Sequence, residues 1–136
     1  MPSLKKRKIF ISHAWKYDAH YWKVVEWLND APYFIWENCS VPRHDSCPDD
    51  SSTQALIRCM NGQIERADCI VVLGGMYAAH SDWIEYEIKK AYRDNKSIVG
   101  VRPWGQERLP KIIQDYADII VGWNQSSVVN AIRKYS

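Results

Sequence analysis

The sequence has no long apolar run. A membrane-spanning helix needs about 20 mainly apolar residues, and no segment approaches that length. Near the N-terminus, the basic residues 5–8 are followed only by Ile9, Phe10 and Ile11, whereas the apolar region of a secretory signal needs about 7–15 residues. We therefore expect a cytoplasmic protein without a membrane partner.

Cysteine and histidine are few and are not spaced as metal ligands. The four cysteines form no Cys-x-x-Cys pair, and the four histidines form no His-x-x-x-His pair. This spacing argues against a thioredoxin motif or a zinc knuckle, and we expect no metal site. We expect reduced thiols, two of them buried on a helix and a strand, as in a reducing compartment. The cysteines are Cys39, Cys47, Cys59 and Cys69.

Net charge is also small, since 18 Lys and Arg oppose 16 Asp and Glu, for a formal charge of +2. This balance gives no general attraction to nucleic acid, and no nucleic-acid partner is expected. The basic residues 5–8 are interpreted as a solubilising start to a buried strand.

The length of 136 residues predicts a single domain, 1–136. Aromatic residues are plentiful, with seven Trp and eight Tyr, and such rings fill cores or line sites for planar ligands.

Short β-type runs alternate along the chain with stretches of helical periodicity. The run at 68–73 is almost continuously apolar, which is typical of a strand buried on both faces. The first helix is expected to bury Trp22, Val25 and Leu28, and the third to bury Ile84, Ile88, Ala91 and Tyr92. Strands are predicted at 8–13, 33–37, 68–73, 98–101 and 119–121, and helices at 20–29, from 51 through 64, from 81 or 82 to 95, at 110–116 and from a cap at Asn124 to 135.

This alternation predicts an α/β fold built from right-handed βαβ units. The expected architecture is a flavodoxin-like, doubly wound, five-stranded parallel sheet of order 2-1-3-4-5 with helices on both faces. In such sheets, ligands bind outside the carboxyl ends of the strands at the switch point. The expected site is therefore formed by the loops 12–18 and 74–81 and is bordered by the long polar loop 38–52.

Several activities of this architecture lack their residues at these positions. There is no acid pair after the first strand, as a phosphoacceptor response regulator requires, and no Ser/Thr-rich loop of the flavodoxin kind. The sequences GxGxxG and GxxxxGK[ST] are both absent, which argues against dinucleotide-binding and P-loop chemistry. Ser12 and His13 are adjacent on a strand and point to opposite faces, so they do not suit a nucleophile and its base.

The most specific signal is the segment 81–88 that opens the third helix. Trp83 and Glu87 are four residues apart and share one flank of that helix, next to the apolar stripe, where we expect them to be half-buried. A carboxylate beside an indole suits a site for a sugar and a base. The residues alone leave open a second interpretation, in which Glu87 is a surface acid and Trp83 belongs to the core.

The arrangement S-x-W-x-x-x-E of Ser81, Trp83 and Glu87 resembles the catalytic helix of Toll/interleukin-1 receptor (TIR) domains. KIFISH at 8–13 resembles their first strand, and WENCSVP at 36–42 resembles the strand and the start of their BB loop. VVLGGMY at 71–77 and GVRPWGQER at 100–108 are most similar to the TIR-like ThsB family of Thoeris antiphage defence. The BB-loop sequence of animal and plant domains is not recognisable, so receptor-adaptor interactions are not carried over.

The resemblance implies cleavage of NAD⁺ at its nicotinamide–ribose bond, with NAD⁺ as substrate and no resident cofactor. It further implies a cyclic or conjugated ADP-ribose signal that activates a separate effector protein, and a homo-oligomer or self-assembly on activation. On this hypothesis Glu87 is the catalytic carboxylate, and the substrate-binding residues are Phe10, Ser12, His13, Asp45 and Trp83.

The residues also permit purely structural roles and other functions. Phe10 suits the core, and His13 suits the end of a strand. A nucleoside deoxyribosyltransferase-like enzyme shares the expected fold and also uses a glutamate, but it would exchange nucleobases rather than consume NAD⁺. A TIR-type scaffold that signals by self-association would leave NAD⁺ intact.

Overall fold

The computed structural model describes residues 6–11, 19–39, 61–73, 77–102 and 111–136, without the side chains of 19–21 and 77–84. Five strands and five helices alternate along this part of the chain. The strands are β1 (Lys6–Ile11), β2 (Ile35–Asn38), β3 (Cys69–Leu73), β4 (Ser97–Val101) and β5 (Ile119–Val121). The helices are α1 (Ala19–Asp30), α2 (described over 61–66), α3 (Tyr77–Arg93), α4 (Lys111–Tyr116) and α5 (Gln125–Tyr135).

All strand pairs are parallel, and the order is β2-β1-β3-β4-β5, as predicted. The register places Ile9 of β1 beside Cys69 of β3, which lies beside Ser97 of β4. Every residue of the central strand β3 is buried. Its continuous apolar sequence therefore reflects burial on both faces, which confirms the predicted fold class.

The helices form two layers, one on each face of the sheet. The chain moves in one direction across the sheet from β1 to β2 and in the other from β3 to β4, so right-handed crossovers place α1 and α3 on opposite faces. Helix α5 packs beside α1, and α4 packs beside α3. The core between these layers includes Leu28, Ile64 and Ile88, all fully buried.

Two predicted core positions are wrong because each helix is rotated slightly from its expected orientation. In α1, the buried residues are Val24 and Leu28, whereas Trp22 is 46% exposed. In α3, Ile88 and Ala91 are fully buried, but Tyr92 is 60% exposed. In α1 the fully buried residues are four apart, Val25 at the edge of this stripe is half-buried, and Trp22 is exposed to solvent.

Helix α3 begins at Tyr77, at least four residues before the predicted start at 81 or 82. Its C-terminal end follows from Asn95, which adopts a left-handed backbone conformation with φ 58°. Asparagine tolerates this conformation better than most residues and often ends a helix in this way. The predicted cap of α5 is confirmed, since Asn124 Oδ1 accepts a hydrogen bond of 2.9 Å from the Ser127 amide.

At Gly100, helix α4 and the sheet lie in close contact. It lies in the buried strand β4, and a Cβ atom built there would lie 2.7 Å from Ile113 Cγ2 and 3.4 Å from Ala117 Cβ. Ile113 is itself fully buried. The missing side chain thus allows α4 to pack directly on the β4 backbone.

Cys39 and Cys69 are buried free thiols, and the other two cysteines lie outside the described residues. Burial raises the pKa of Cys69 from its ordinary value of 9.0 to about 12, with smaller contributions from the carboxylates of Asp118 and Asp68. Burial also raises the pKa of Cys39, assisted by Glu37 beside it. Both thiols are therefore protonated at neutral pH and poorly nucleophilic.

This shift predicts a loss of stability at alkaline pH. The unfolded chain ionises Cys69 above pH 9, whereas the folded chain keeps it protonated to about pH 12. The stabilisation that the buried neutral thiol provides is therefore complete below pH 9 and is lost as the pH rises above 9. Between pH 8 and pH 10 we expect this thiol to lower the free energy of unfolding by about 1.4 kcal/mol. Urea unfolding of the wild type and of Cys69→Ala at both pH values measures this decrease in the free energy of unfolding. An equal decrease in the two proteins would contradict the prediction.

Candidate active site

The described floor of the candidate site consists of the carboxyl ends of the strands. Ile11 of β1, Leu73 of β3 and Val101 of β4 are each at most 1% exposed. These side chains offer no polar atom to a ligand. Any chemistry at this edge must therefore come from the helices and from the connecting segments.

Helix α3 supplies the buried carboxylate. Among the described residues, the buried polar side chains are Glu87, 1% exposed, and Gln63, 5% exposed. Glutamate is almost never fully buried unless it is paired. Glu87 shares the inward face of α3 with Ile88 and Ala91, both at 0% exposure. It is thus buried more deeply than the half-buried position expected from the sequence.

The early start of α3 also changes the position of Glu87 along the helix. As the eleventh residue of α3, it lies about 15 Å along the axis from Tyr77, at a rise of about 1.5 Å per residue. Helical side chains tilt towards the N-terminus of their helix, and that end of α3 follows the carboxyl end of β3. Glu87 therefore lies below the strand tips, and its side chain inclines towards them.

Two contacts between α2 and α3 fix the position of this part of α3. The hydroxyl of Tyr86, next to Glu87, donates a hydrogen bond of 2.6 Å to Asn61 Oδ1. One turn later, Lys90 Nζ lies 3.0 Å from Glu65 Oε1 and 3.0 Å from Asp94 Oδ2. Hydrogen bonds to Asp94 and then to Glu65 raise the pKa of Lys90 above its ordinary value, so it remains charged throughout the neutral range.

Sequence reasoning identified Glu87 but not the residues that hold α2 against it. Asn61 and Glu65 both lie on the described part of α2. No motif distinguishes them, because their role depends on α2 running beside α3 in space. The sequence shows them only as polar residues on the surface of a helix, and this pattern does not indicate which helix they contact.

The remaining predicted site residues are placed as follows. Phe10 is 2% exposed and belongs to the core of β1. Trp83 lies on α3, but its side chain is outside the described part of the structure, and Ser12, His13 and Asp45 lie outside it entirely. Of the predicted site residues, the structure therefore describes the side chains of Glu87 and Phe10 alone, and these lie in neighbouring layers of the same core. Among the described residues, no cluster of three or more His, Cys, Asp or Glu could hold a metal ion.

The family model of the Thoeris protein ThsB, TIR-like domain, matches residues 10–108. This match covers most of the chain. The chain belongs to this family. The matched segment runs from β1 into the region after β4 and contains the whole of α3, including Glu87. No curated protein matches the chain significantly in sequence.

Solved structures share the fold of this ThsB-family domain at low sequence identity. A conserved protein from Enterococcus faecalis V583 is 11% identical, with a TM-score of 0.68 over 96% of this chain and 99% of that one. The CMP N-glycosidase BcmB from Clostridium botulinum is also 11% identical, with a TM-score of 0.56 over 96% of this chain and 100% of that one. At this identity the likeness concerns the fold alone.

None of the described helices has the length and apolar character that crossing a membrane requires.

Proposed function

We propose that this ThsB-family domain cleaves the nicotinamide–ribose bond of NAD⁺ and transfers ADP-ribose to form a cyclic or conjugated signal. The observation that carries the proposal is the carboxylate of Glu87, 1% exposed on α3, within the segment matched by the TIR-like family. A buried acid whose side chain inclines towards the ligand-binding edge of a doubly wound sheet is a candidate for chemistry rather than for solubility.

The reaction suits a single ionised carboxylate. The C1′–N bond breaks with its electron pair moving to the pyridinium nitrogen, so nicotinamide leaves as a neutral base and needs no proton. The ribose becomes oxocarbenium-like, and a nearby negative charge stabilises that cation. Shielding from water strengthens this interaction because the effective dielectric constant is lower than in bulk solvent.

The second half of the reaction forms the product. A nucleophile attacks C1′ of the ADP-ribosyl cation and loses a proton to solvent or to Glu87. Water gives ADP-ribose, a nucleophilic atom of the same molecule gives a cyclic product, and another acceptor gives a conjugate. The product would then act on a separate effector protein in antiphage defence.

The remaining predicted site residues complete the proposed binding site. Trp83 would pack behind Glu87 or against the ligand, since one helical turn separates the two residues. Ser12 and His13 would line the opposite wall after β1, with Phe10 beneath them, and Asp45 would belong to a cover over the site. A homo-oligomer or an assembly formed on activation would supply any surface that the single domain lacks.

A second candidate is an N-glycosidase that acts on a mononucleotide. The structural likeness to a CMP N-glycosidase favours it, because hydrolysis of CMP also breaks a bond between C1′ and a ring nitrogen. The same carboxylate could stabilise the ribosyl cation. The two candidates differ in the leaving base: cytosine needs more assistance from a proton donor than the already cationic nicotinamide.

Incubation of the purified protein with NAD⁺, and separately with CMP, tests these candidates. Mass spectrometry is expected to detect free nicotinamide together with ADP-ribose, a cyclic product lighter than ADP-ribose by one water, or a conjugate of higher mass. The assay should be repeated at high protein concentration and with a crowding agent, so that assembled states are sampled. Release of cytosine from CMP with NAD⁺ left intact would favour the second candidate. If both substrates remained intact in every state, both candidates would be contradicted, as a non-enzymatic scaffold predicts.

A further inference from the structure

We propose that a groove between α3 and α4 binds a nucleoside phosphate, at a site separate from Glu87. The groove has a volume of about 470 Å³, within the range of about 300–1,000 Å³ typical of small-ligand sites. It is lined by Tyr86, Lys89, Tyr92 and Arg93 of α3 and by Tyr116 of α4. This inference does not depend on the proposed reaction.

The aromatic part of the groove is exposed yet held in place. Tyr92 is 60% exposed, and its ring packs edge-on against Tyr116 with centroids 5.0 Å apart and an interplanar angle of 77°. The hydroxyl of Tyr86, which also lines the groove, is fixed by its hydrogen bond to Asn61. Rings held in this way lose little conformational freedom on binding, and they offer faces on which a nucleobase can stack.

The charged part of the groove carries two positive groups. Lys89 and Arg93 are exposed, and neither forms an ion pair within the part of the chain that the structure describes. Their neighbour Lys90 differs, because its ammonium is paired with Glu65 and Asp94.

The chemistry of the lining selects an anion with an aromatic ring. No carboxylate is among the described residues that line this groove, and two positive charges match a phosphate monoester of about −1.5 to −2. A second cavity of about 230 Å³ lies beyond the tyrosine pair and contains Asp118. That carboxylate accepts a hydrogen bond of 2.7 Å from the Ile98 amide. The phosphate therefore belongs on the side of Lys89 and Arg93.

The groove and the candidate active site lie on different faces of α3. Glu87 points inward with 1% exposure, whereas Lys89 and Tyr92 point outward. The second cavity includes Ser97, where β4 begins, so the groove extends towards the amino edge of the sheet. The candidate active site instead approaches the carboxyl edge. The two sites therefore open on different sides of α3.

Titration of the ¹⁵N-labelled protein with adenosine 5′-monophosphate, followed by amide NMR shifts, tests this proposal. We expect saturable shifts clustered at 86–93 and 111–116, with weaker binding by adenosine and by inorganic phosphate. Combining Lys89→Gln with Arg93→Gln should weaken binding at least about tenfold, as for loss of charge-assisted hydrogen bonds. Tyr92→Leu should also weaken it about tenfold through lost stacking. Lys134→Gln on α5 is the matched control and should bind normally.

Equal binding of adenosine and the monophosphate would overturn the proposal, as would shifts confined to residues outside α3 and α4. Absence of saturable shifts at millimolar ligand would also overturn it. Self-association that disappears in Tyr92→Leu, together with no nucleotide binding, would assign the groove to a second copy of the chain. Thermal unfolding of each variant verifies that a loss of binding does not reflect a loss of fold.

Discussion

Replacing Glu87 with glutamine is expected to lower the release of nicotinamide from NAD⁺ by at least about 100-fold. Glutamine has nearly the shape of glutamate but lacks the negative charge that would stabilise the ribosyl cation. The loss should appear in kcat more than in KM, because the interaction strengthens only as positive charge develops. The measurement is the initial rate of nicotinamide release under the conditions in which the wild type is active.

The fold should survive this change. Glu87 is buried beside Ile88, and glutamine has nearly the same volume, so we expect the packing to be kept and the melting temperature to remain within a few degrees. Glu85→Gln is the matched control: it lies on the same helix, is only partly buried and should keep its activity. A Glu87→Gln protein that retained more than about a tenth of the wild-type rate would refute the catalytic role of this residue.

Gly100→Ala is expected to lower the free energy of unfolding by about 1–3 kcal/mol, although alanine suits a strand better than glycine does. The added methyl group would lie 2.7 Å from Ile113 Cγ2, so α4 must shift away from the sheet. Gly62→Ala on α2 is the matched control, since a methyl group added there would have no atom within 4 Å among the described residues. There the same change should stabilise the protein by about 0.5–1 kcal/mol.

A second substitution tests the cause of this effect. Ile113→Leu removes the β-branched methyl that meets the new side chain, and alone it should cost less than about 1.5 kcal/mol. If the close contact explains the loss, the double variant will be more stable than the sum of the single changes predicts. Urea unfolding of the four proteins measures this coupling. Strict additivity would show that the contact with Ile113 is not the source of the cost.

The sheet could be predicted because its information is local. Each strand is a short apolar run, and the chain alternates between such runs and helical stretches, so parallel pairing was expected. The order 2-1-3-4-5 is that of the flavodoxin-like architecture. Asn124 was likewise recognisable as a cap, because its partner is the nearby Ser127 amide. Features set within a few residues were therefore accessible from the sequence.

Features that depend on packing between elements were not accessible in this way. The exposure of Trp22 and Tyr92 depends on small rotations of α1 and α3, to which the apolar spacing alone is insensitive. Tyr92 meets Tyr116 across two helices, and no periodicity links residues so far apart in the chain. The catalytic assignment of Glu87 remains a prediction from the TIR resemblance, and its depth of burial is what the structure adds.

The strand order also affects how the chain emerges during synthesis. Ile9 of β1 pairs with Cys69 of β3, so 60 further residues must be synthesised before β1 can pair with β3. At ribosomal speeds of about 5–20 residues per second this takes roughly 3–12 s. During that interval only β2 can cover one edge of β1, and the other edge stays open. A nascent chain with such an open apolar edge is a natural client for ribosome-associated chaperones.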